Sequence, residues 1–197
     1  MKGKIEKESV QLSPIVVKDM KLELEGISPL LMHKFSEKKQ NEMVEKQQQK
    51  GARQKEARDI DAEVKEATHY DANGKVAFPA CGFKRAAIEA APYIENLDKK
   101  LAKGSFHVIG DLVPISFSKQ VVNKTTVRLS GPGRTAMVRF RPEFQDWSCV
   151  LHIKYNPAQI SAEQIVNLFN VGGFHIGVGE WTPQHNGSYG MFQVKTG

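Results

Sequence analysis

The chain has 197 residues, of which 40% are hydrophobic, and its formal net charge is +6 at pH 7. This length suits a single domain, and the excess of positive charge favours an acidic partner such as nucleic acid. No apolar run approaches the roughly 20 residues that span a bilayer, and the charged start of the chain does not have the apolar region of a secretory signal. We therefore expect a cytoplasmic protein without a membrane partner.

The two cysteines, Cys81 and Cys149, argue against a metal centre. Neither belongs to a Cys-x-x-Cys pair or lies beside a group of histidines, which are the usual ligand spacings of a zinc site. A Walker A motif, paired metal-binding carboxylates and a Ser-His-Asp arrangement are also missing from the sequence, which lowers the odds of an ATPase or a two-metal nuclease. We predict no metal and no cofactor.

The predicted elements of the first half are short strands around one charged insertion. A strand-like alternation covers Ile15 to Met32, and residues 35–70 follow as a charged arm, either helical or flexible. Between Ser36 and Tyr70 there are eight basic and eight acidic residues, so the arm adds nothing to the net charge. An arm that becomes ordered against a neighbouring subunit or a nucleic acid is the functional alternative to disorder.

A short strand and a short helix come after the arm. Val76 to Phe78 is the predicted strand, and Gly82 to Ala91 is the predicted helix, which Pro92 ends. Lys84 and Arg85 lie near the start of this helix, where positive charge opposes the helix dipole. They are therefore more readily explained by a bound partner than by helix stability.

The second half contains further strands and one capped helix. Strands are predicted within residues 106–117, a hairpin over 121–140, and a strand over 147–155 in which apolar residues alternate with polar ones. Ser161 and Gln164 form a capping box at the start of a helix, which we predict to end at Gly172 and Gly173.

Positive charge is concentrated in the hairpin region. Residues 112–142 contain no Asp or Glu, and their six basic residues are Lys119, Lys124, Arg128, Arg134, Arg139 and Arg141. Such a stretch is typical of phosphate contacts. A basic face that is only solvated is the alternative.

Six of the 16 glycines lie between residues 172 and 190, where Trp181, His185 and Tyr189 are interleaved with them. A cluster of this kind indicates either positive φ angles or the close approach of another backbone, often that of a polyanion. A long hairpin with ordinary turn glycines is the alternative.

Three segments resemble the RAMP proteins of CRISPR systems. They are the strand over residues 22–33, the Phe78-Pro79-Ala80-Cys81-Gly82-Phe83-Lys84-Arg85-Ala86 segment, and the glycine-rich stretch over residues 177–190. The chain also resembles short phage-encoded proteins that have the same three motifs, and these two resemblances imply a protein of a bacterial cell that is encoded by the bacterium or by a phage. The resemblance implies an α+β, RRM/ferredoxin-like (RAMP-type) fold, in which an antiparallel sheet is backed by two helices, and the backbone-type Cas7 subunits are the most similar. The chain is short for a Cas7 subunit, and its glycine loop contains Glu180 where RAMP loops are often more basic.

The resemblance and the charge pattern together predict a non-catalytic protein that binds single-stranded RNA or DNA independently of sequence. Residues 1–197 would form one RAMP-like domain that oligomerises along its ligand and contacts other CRISPR or phage subunits. Basic side chains would bind phosphates and aromatic ones would stack on bases. The candidate residues are Lys34, Lys84, Arg85, Lys119, Arg128, Arg134, Arg139, Arg141, Trp181, His185 and Tyr189. A core position is the alternative for Trp181.

Two other functions stay open. The chain could be a metal-independent endoribonuclease of the Cas6 type, in which histidines act as general acid and base, and His33 is then the first candidate. It could also be a phage structural or regulatory protein that binds another protein, for example as a mimic of a CRISPR subunit.

Overall fold

A computed structural model describes residues 14–34, 59–128 and 136–195. In these ranges the strands are β1 (Lys18–Gly26), β2 (Leu30–Leu31), β3 (Ala77–Pro79), β4 (Phe106–Val108), β5 (Leu112–Ser116), β6 (Lys119–Arg128), β7 (Ala136–Gln145), β8 (Ser148–Tyr155) and β9 (Phe192–Val194). The α-helices are α1 (Ile60–Glu66), α2 (Ala80–Ala90), α3 (Lys99–Ser105) and α4 (Ala162–His175), and short 3-10 helices cover Ala91–Tyr93 and Pro183–His185.

The main sheet is antiparallel and has the strand order β3-β5-β8-β1-β9, with β4 also paired to β8. In chain order, β1 is followed by α2, then by β4 and β5, then by β8, α4 and β9. A ferredoxin-like fold has the chain order β-α-β-β-α-β, and its first strand lies between the third and the fourth in the sheet. In the same way, β1 lies between β8 and β9 here. The predicted fold class is confirmed.

The core lies between this sheet and the helices α2 and α4. Leu22 and Leu24 on β1 and Leu151 on β8 are buried, whereas the residues that alternate with them along each strand are more exposed. Phe83 of α2 and Phe169 of α4 are also fully buried. The period-2 pattern of the strands thus places one face of the sheet under the two helices.

Gly172 and Gly173 do not end α4 as predicted, because the helix continues to His175. A Cβ on Gly172 would lie 2.7 Å from the carbonyl oxygen of Ala86 in α2, and one on Gly173 would collide with the carbonyl oxygen of Phe192 in β9. The two glycines therefore allow α4 to pack closely on its neighbours, at some cost in helix propensity.

A second, three-stranded sheet has the order β2-β7-β6 and contains the predicted hairpin. The tip of the hairpin, residues 129–135, lies outside the described residues. Leu30 of β2 pairs with Phe144 of β7, and both are buried. The hairpin thus leaves the main domain from a buried base.

The end of the predicted arm belongs to the body of the protein. Residues 35–58 lie outside the described residues, but α1 packs against β7, and its Val64 is buried, as is Ala67 just beyond its end. The backbone N–H of Lys34 donates to the carbonyl of Ala67 at 2.8 Å. In the described ranges, no helix combines the length and apolarity needed to cross a membrane.

Candidate nucleic-acid interface

A cleft of about 520 Å³ separates the first turn of α2 from the glycine-rich segment that follows α4. We call it the histidine cleft, because His33, His69 and His185 line it together with Arg85. His33 follows β2 and His69 follows α1, so two elements that are distant in sequence converge with the segment after α4. The sequence alone did not show that three of the six histidines meet in one place.

Burial lowers the pKa of His69, and the nearby positive charge of Lys34 lowers it further. The ring of His69 also makes an edge contact with Phe78, with 6.5 Å between the ring centroids. Both effects favour the neutral form of the His69 imidazole. Lys34, one of the predicted phosphate contacts, lies close enough to His69 to act on its charge.

Residues 177–190, which we call the glycine loop, are packed against the protein itself. A Cβ on Gly179 would collide with the carbonyl oxygen of Leu31, and one on Gly190 with that of Val178. Both glycines also have positive φ angles, of 89° and 67°. The contacts of the protein backbone therefore account for these two glycines, and a polyanion is not needed to explain them.

Trp181 is on the surface, 44% exposed, with a φ of 54°. A positive φ is strained for a bulky residue. The loop fixes this geometry, because the carbonyl of Trp181 accepts the N–H of Tyr189 at 3.0 Å and Gly187 packs directly on that carbonyl. The core tryptophan of the chain is Trp147 instead, whose Nε1 donates to the carbonyl of Ser28 at 2.9 Å.

A second depression, of about 670 Å³, lies between α2 and α3 and shares Cys81 and Arg85 with the histidine cleft. We call it the lysine groove. Among the described residues, the cationic ones that line it are Lys84, Arg85, Lys99, Lys100 and Lys103, and the one acidic residue is Glu89, which forms an ion pair with Lys99. Because the two depressions share Cys81 and Arg85, they adjoin each other along α2, and the positive charge is concentrated in the groove.

Lys84 has a defined position in this groove. Its Nζ lies 3.1 Å from Nδ1 of His107 and 5.9 Å from the ring centroid of Phe106. Burial lowers the pKa of Lys84, and the neighbouring charge of Lys103 lowers it further. A bound anion would offset the repulsion between these like charges.

The lysines of α3 were not among the predicted site residues. The helix itself is short, begins at the N-cap Asp98, and was not predicted. The sequence feature that could have predicted it is Lys99-Lys100-Leu101-Ala102-Lys103, in which Lys99 and Lys103 have the spacing of one helical turn.

Arg141 was predicted as a phosphate contact, but its side chain is buried. It donates from Nη1 to Oγ1 of Thr125 at 3.2 Å, and its Nη2 lies 3.6 Å from Oε2 of Glu180 in the glycine loop. Burial lowers the pKa of Arg141, Glu180 opposes this shift, and Arg139 adds to it. Arg141 therefore connects the hairpin to the glycine loop, and it does not reach the surface.

The other predicted contacts are spread over the hairpin and the loop. Lys119 is exposed at the base of β6, and Arg139 is half-buried on the face of the hairpin that also contains Arg141. The hydroxyl of Tyr189 accepts a hydrogen bond from Asn123 Nδ2 at 3.2 Å, and His185 is exposed at the histidine cleft. The side chain of Arg128 and all of Arg134 lie outside the described residues.

No protein-family model and no curated protein sequence matches the chain. Among solved structures, a chain of the Type III-B Cmr-beta complex bound to cognate target RNA is similar, with a TM-score of 0.57 and 12% identity. The match covers 91% of this chain and 59% of that one, so this chain spans about three-fifths of the length of the matched chain. Cmr6 from Pyrococcus furiosus matches with a TM-score of 0.48 and 10% identity, over 92% of this chain and 100% of that one. At 12% identity, the first likeness shows a common fold.

Proposed function

We propose that this protein binds single-stranded RNA along α2, across the adjoining histidine cleft and lysine groove, and that it does not cleave the strand. The observation that carries the proposal is the positive charge of the groove. Five cationic side chains and one acidic side chain line it; Lys99 is paired with the acidic Glu89, and Arg85 lines the cleft as well. A positive channel beside aromatic side chains is the common design for binding single strands without sequence preference.

The aromatic part of the design is supplied by the glycine loop. Trp181 is exposed next to Glu180 and Thr182, which both line the histidine cleft. A base that leaves the cleft can stack on the indole, whatever its identity, because every base has a π-face. His185 in the cleft and Tyr189 in the loop are the other predicted stacking residues.

The choice of RNA over DNA is supported by the fold. The similar chain belongs to a Cmr-beta complex that is bound to cognate target RNA. Assembly of copies along the strand, and association with other CRISPR or phage subunits, are part of the same proposal. Ile15, Val16 and Val17 are exposed in a row before β1, and a run of exposed apolar residues of this kind supports contact with a second subunit.

The test is a salt-titrated binding assay with labelled single-stranded RNA, single-stranded DNA and duplex, together with negative-stain imaging. The groove variant combines Lys84→Gln, Lys100→Gln and Lys103→Gln. A matched control combines Lys18→Gln, Lys21→Gln and Lys75→Gln, which remove the same charge from exposed positions outside the groove. For single strands the slope of log K against log salt is about 0.7 per phosphate contact, so the groove variant should lose about 2 from the slope.

Tight binding to RNA that needs the groove lysines, with an uncut strand and regular filaments in the images, would establish the proposal. Equal losses in the two triple variants would mean that net charge alone attracts RNA. No binding of RNA by the wild-type protein at low salt would refute the proposal, and the basic surfaces would then have to serve a protein partner.

A metal-independent endoribonuclease is a second candidate, because His33, His69 and His185 line one cleft. General acid and base catalysis on RNA requires two such groups near the 2′-hydroxyl, and a neutral imidazole can act as the base. The test is incubation with end-labelled RNA in EDTA, using a strand with a single 2′-deoxy position as the control. Cleavage that is blocked at the 2′-deoxy position and abolished by His69→Ala would support catalysis.

A further inference from the structure

Two aromatic side chains are exposed near the C-terminal ends of α2 and α4. Tyr93, in the 3-10 turn after α2, is 61% exposed, and Phe174, in the last turn of α4, is 60% exposed. Neither is part of the surfaces described above. Large aromatic side chains at this exposure need a reason, because their burial is normally favourable.

The ring of Tyr93 is already stacked on one side. It lies parallel to the ring of His175, with 4.6 Å between the centroids and 10° between the planes, and Phe174 meets His175 edge-on at 5.3 Å. The imidazole thus covers one face of the phenol ring and fixes its orientation, while the high exposure of Tyr93 leaves its other face to solvent. We call these three rings the aromatic platform.

The platform lies next to the lysine groove. Arg85 and Glu89 line the groove on α2, and α2 leads after Ala90 directly into the 3-10 turn that contains Tyr93. The turn Ala91–Tyr93 also packs against α3, whose lysines form the other wall of the groove. The turn that holds Tyr93 therefore borders the two helices between which the groove lies, within reach of a strand that leaves the groove.

We propose that the free face of Tyr93 is a stacking site for a nucleobase of the strand bound in the lysine groove. This inference rests on the proposed function and adds to it a base contact outside both the groove and the glycine loop. A prestacked ring loses little conformational freedom when a base adds to the stack, and the contact is tolerant of base identity. The site is expected to accept RNA and single-stranded DNA alike, because it contacts only the base.

The test compares Tyr93→Ala, Tyr93→Phe and the control Tyr70→Ala in the same salt-titrated assay. Tyr70 is a second exposed tyrosine, at 39%, and does not line the groove. Loss of one stacked base should weaken binding about tenfold. The loss should be equal at every salt concentration, because no phosphate contact is removed. Tyr93→Phe should bind as the wild type does, because it retains the ring, and 2-aminopurine placed in the strand should be quenched by the wild type and not by Tyr93→Ala.

Three outcomes would overturn the inference. Tyr93→Ala could bind RNA as tightly as Tyr70→Ala, Tyr93→Phe could lose as much as Tyr93→Ala, or Tyr93→Ala could change self-association in the absence of RNA while RNA affinity stays constant. The last result would make the platform a subunit contact. If the wild-type protein does not bind single strands even at low salt, the proposed function fails and the stacking site fails with it. By contrast, wild-type binding with an unaffected Tyr93→Ala variant refutes the stacking site alone.

Discussion

The packing of α4 provides a sharp test of the fold, through the substitution Gly173→Ala. A methyl group at this position would collide with the carbonyl oxygen of Phe192 in β9. The matched control is Gly104→Ala in α3, where an added Cβ would meet no heavy atom within 4 Å. The two substitutions are chemically identical, both are helical, and they differ in the space around the new methyl group.

The expected magnitudes have opposite signs. Alanine is favoured over glycine inside a helix by about 0.5–1 kcal/mol, so Gly104→Ala should stabilise the protein by this amount. At Gly173 the same gain is opposed by an overpacking cost of about 1–3 kcal/mol. Because the obstacle is the backbone of a paired strand, the upper end of that range applies. We expect Gly173→Ala to destabilise the protein by about 2 kcal/mol.

The measurement is the free energy of unfolding from urea titrations, with thermal melts as a second readout. For a domain of this size, 1 kcal/mol changes Tm by about 2–4 °C, so Gly173→Ala should lower Tm by about 4–8 °C and Gly104→Ala should raise it by about 2 °C. If both variants were more stable than the wild type, α4 could not lie against β9 as described.

Three further predictions concern accessibility, pH and the end of the arm. Cys81 is exposed and lines both the cleft and the groove, whereas burial raises the pKa of Cys149 to about 12. The thiol of Cys81 should therefore react rapidly with iodoacetamide at neutral pH, and bound RNA should protect it. Equal reaction rates with and without RNA would place the strand elsewhere. Burial and Lys34 lower the pKa of His69 below 6.5, so the unfolded state binds the proton more readily and the stability of the fold should decrease as pH falls below about 6.5. Denaturant titrations of His69→Gln should show a smaller decrease in stability over this pH range. An identical pH dependence in the variant and the wild type would exclude His69 as the cause. Val64 is buried against the body of the protein, so Val64→Ala should cost about 2 kcal/mol in unfolding free energy, whereas an unchanged stability would mean that α1 is peripheral.

Local patterns were sufficient to predict most of the secondary structure. The alternation in β8 and the capping box at Ser161 gave elements that the structure contains, and both hydrogen bonds of the box are present, at 2.9 and 3.1 Å. The hairpin of β6 and β7 was also predicted. These signals reside in neighbouring residues, so a reading of the sequence can find them without knowledge of the tertiary structure.

The predictions differ from the structure where contacts between residues distant in sequence determine the local conformation. Gly172 and Gly173 have the local appearance of a helix end, but their function depends on Ala86 and Phe192, which are distant in sequence. From the sequence, Arg141 was predicted to be a surface charge in a basic stretch. In the structure it lies beside Glu180 of the glycine loop, which is distant in sequence. Neither arrangement has a signal within a window of a few residues.

The glycine loop shows how such contacts change a functional interpretation. The sequence allowed two explanations for its glycines, close approach of a polyanion or unusual backbone geometry. In the structure, the added Cβ atoms of Gly179, Gly187 and Gly190 would all meet carbonyl oxygens of the protein, so the loop has its shape before any ligand arrives. That shape includes the strained φ of Trp181, and backbone strain of this kind is maintained only where the surrounding structure fixes it. Because Trp181 is exposed despite this strain, the loop does not bury its aromatic residue but presents it beside the histidine cleft. A strand bound there would find the stacking surface preformed, which lowers the entropic cost of binding.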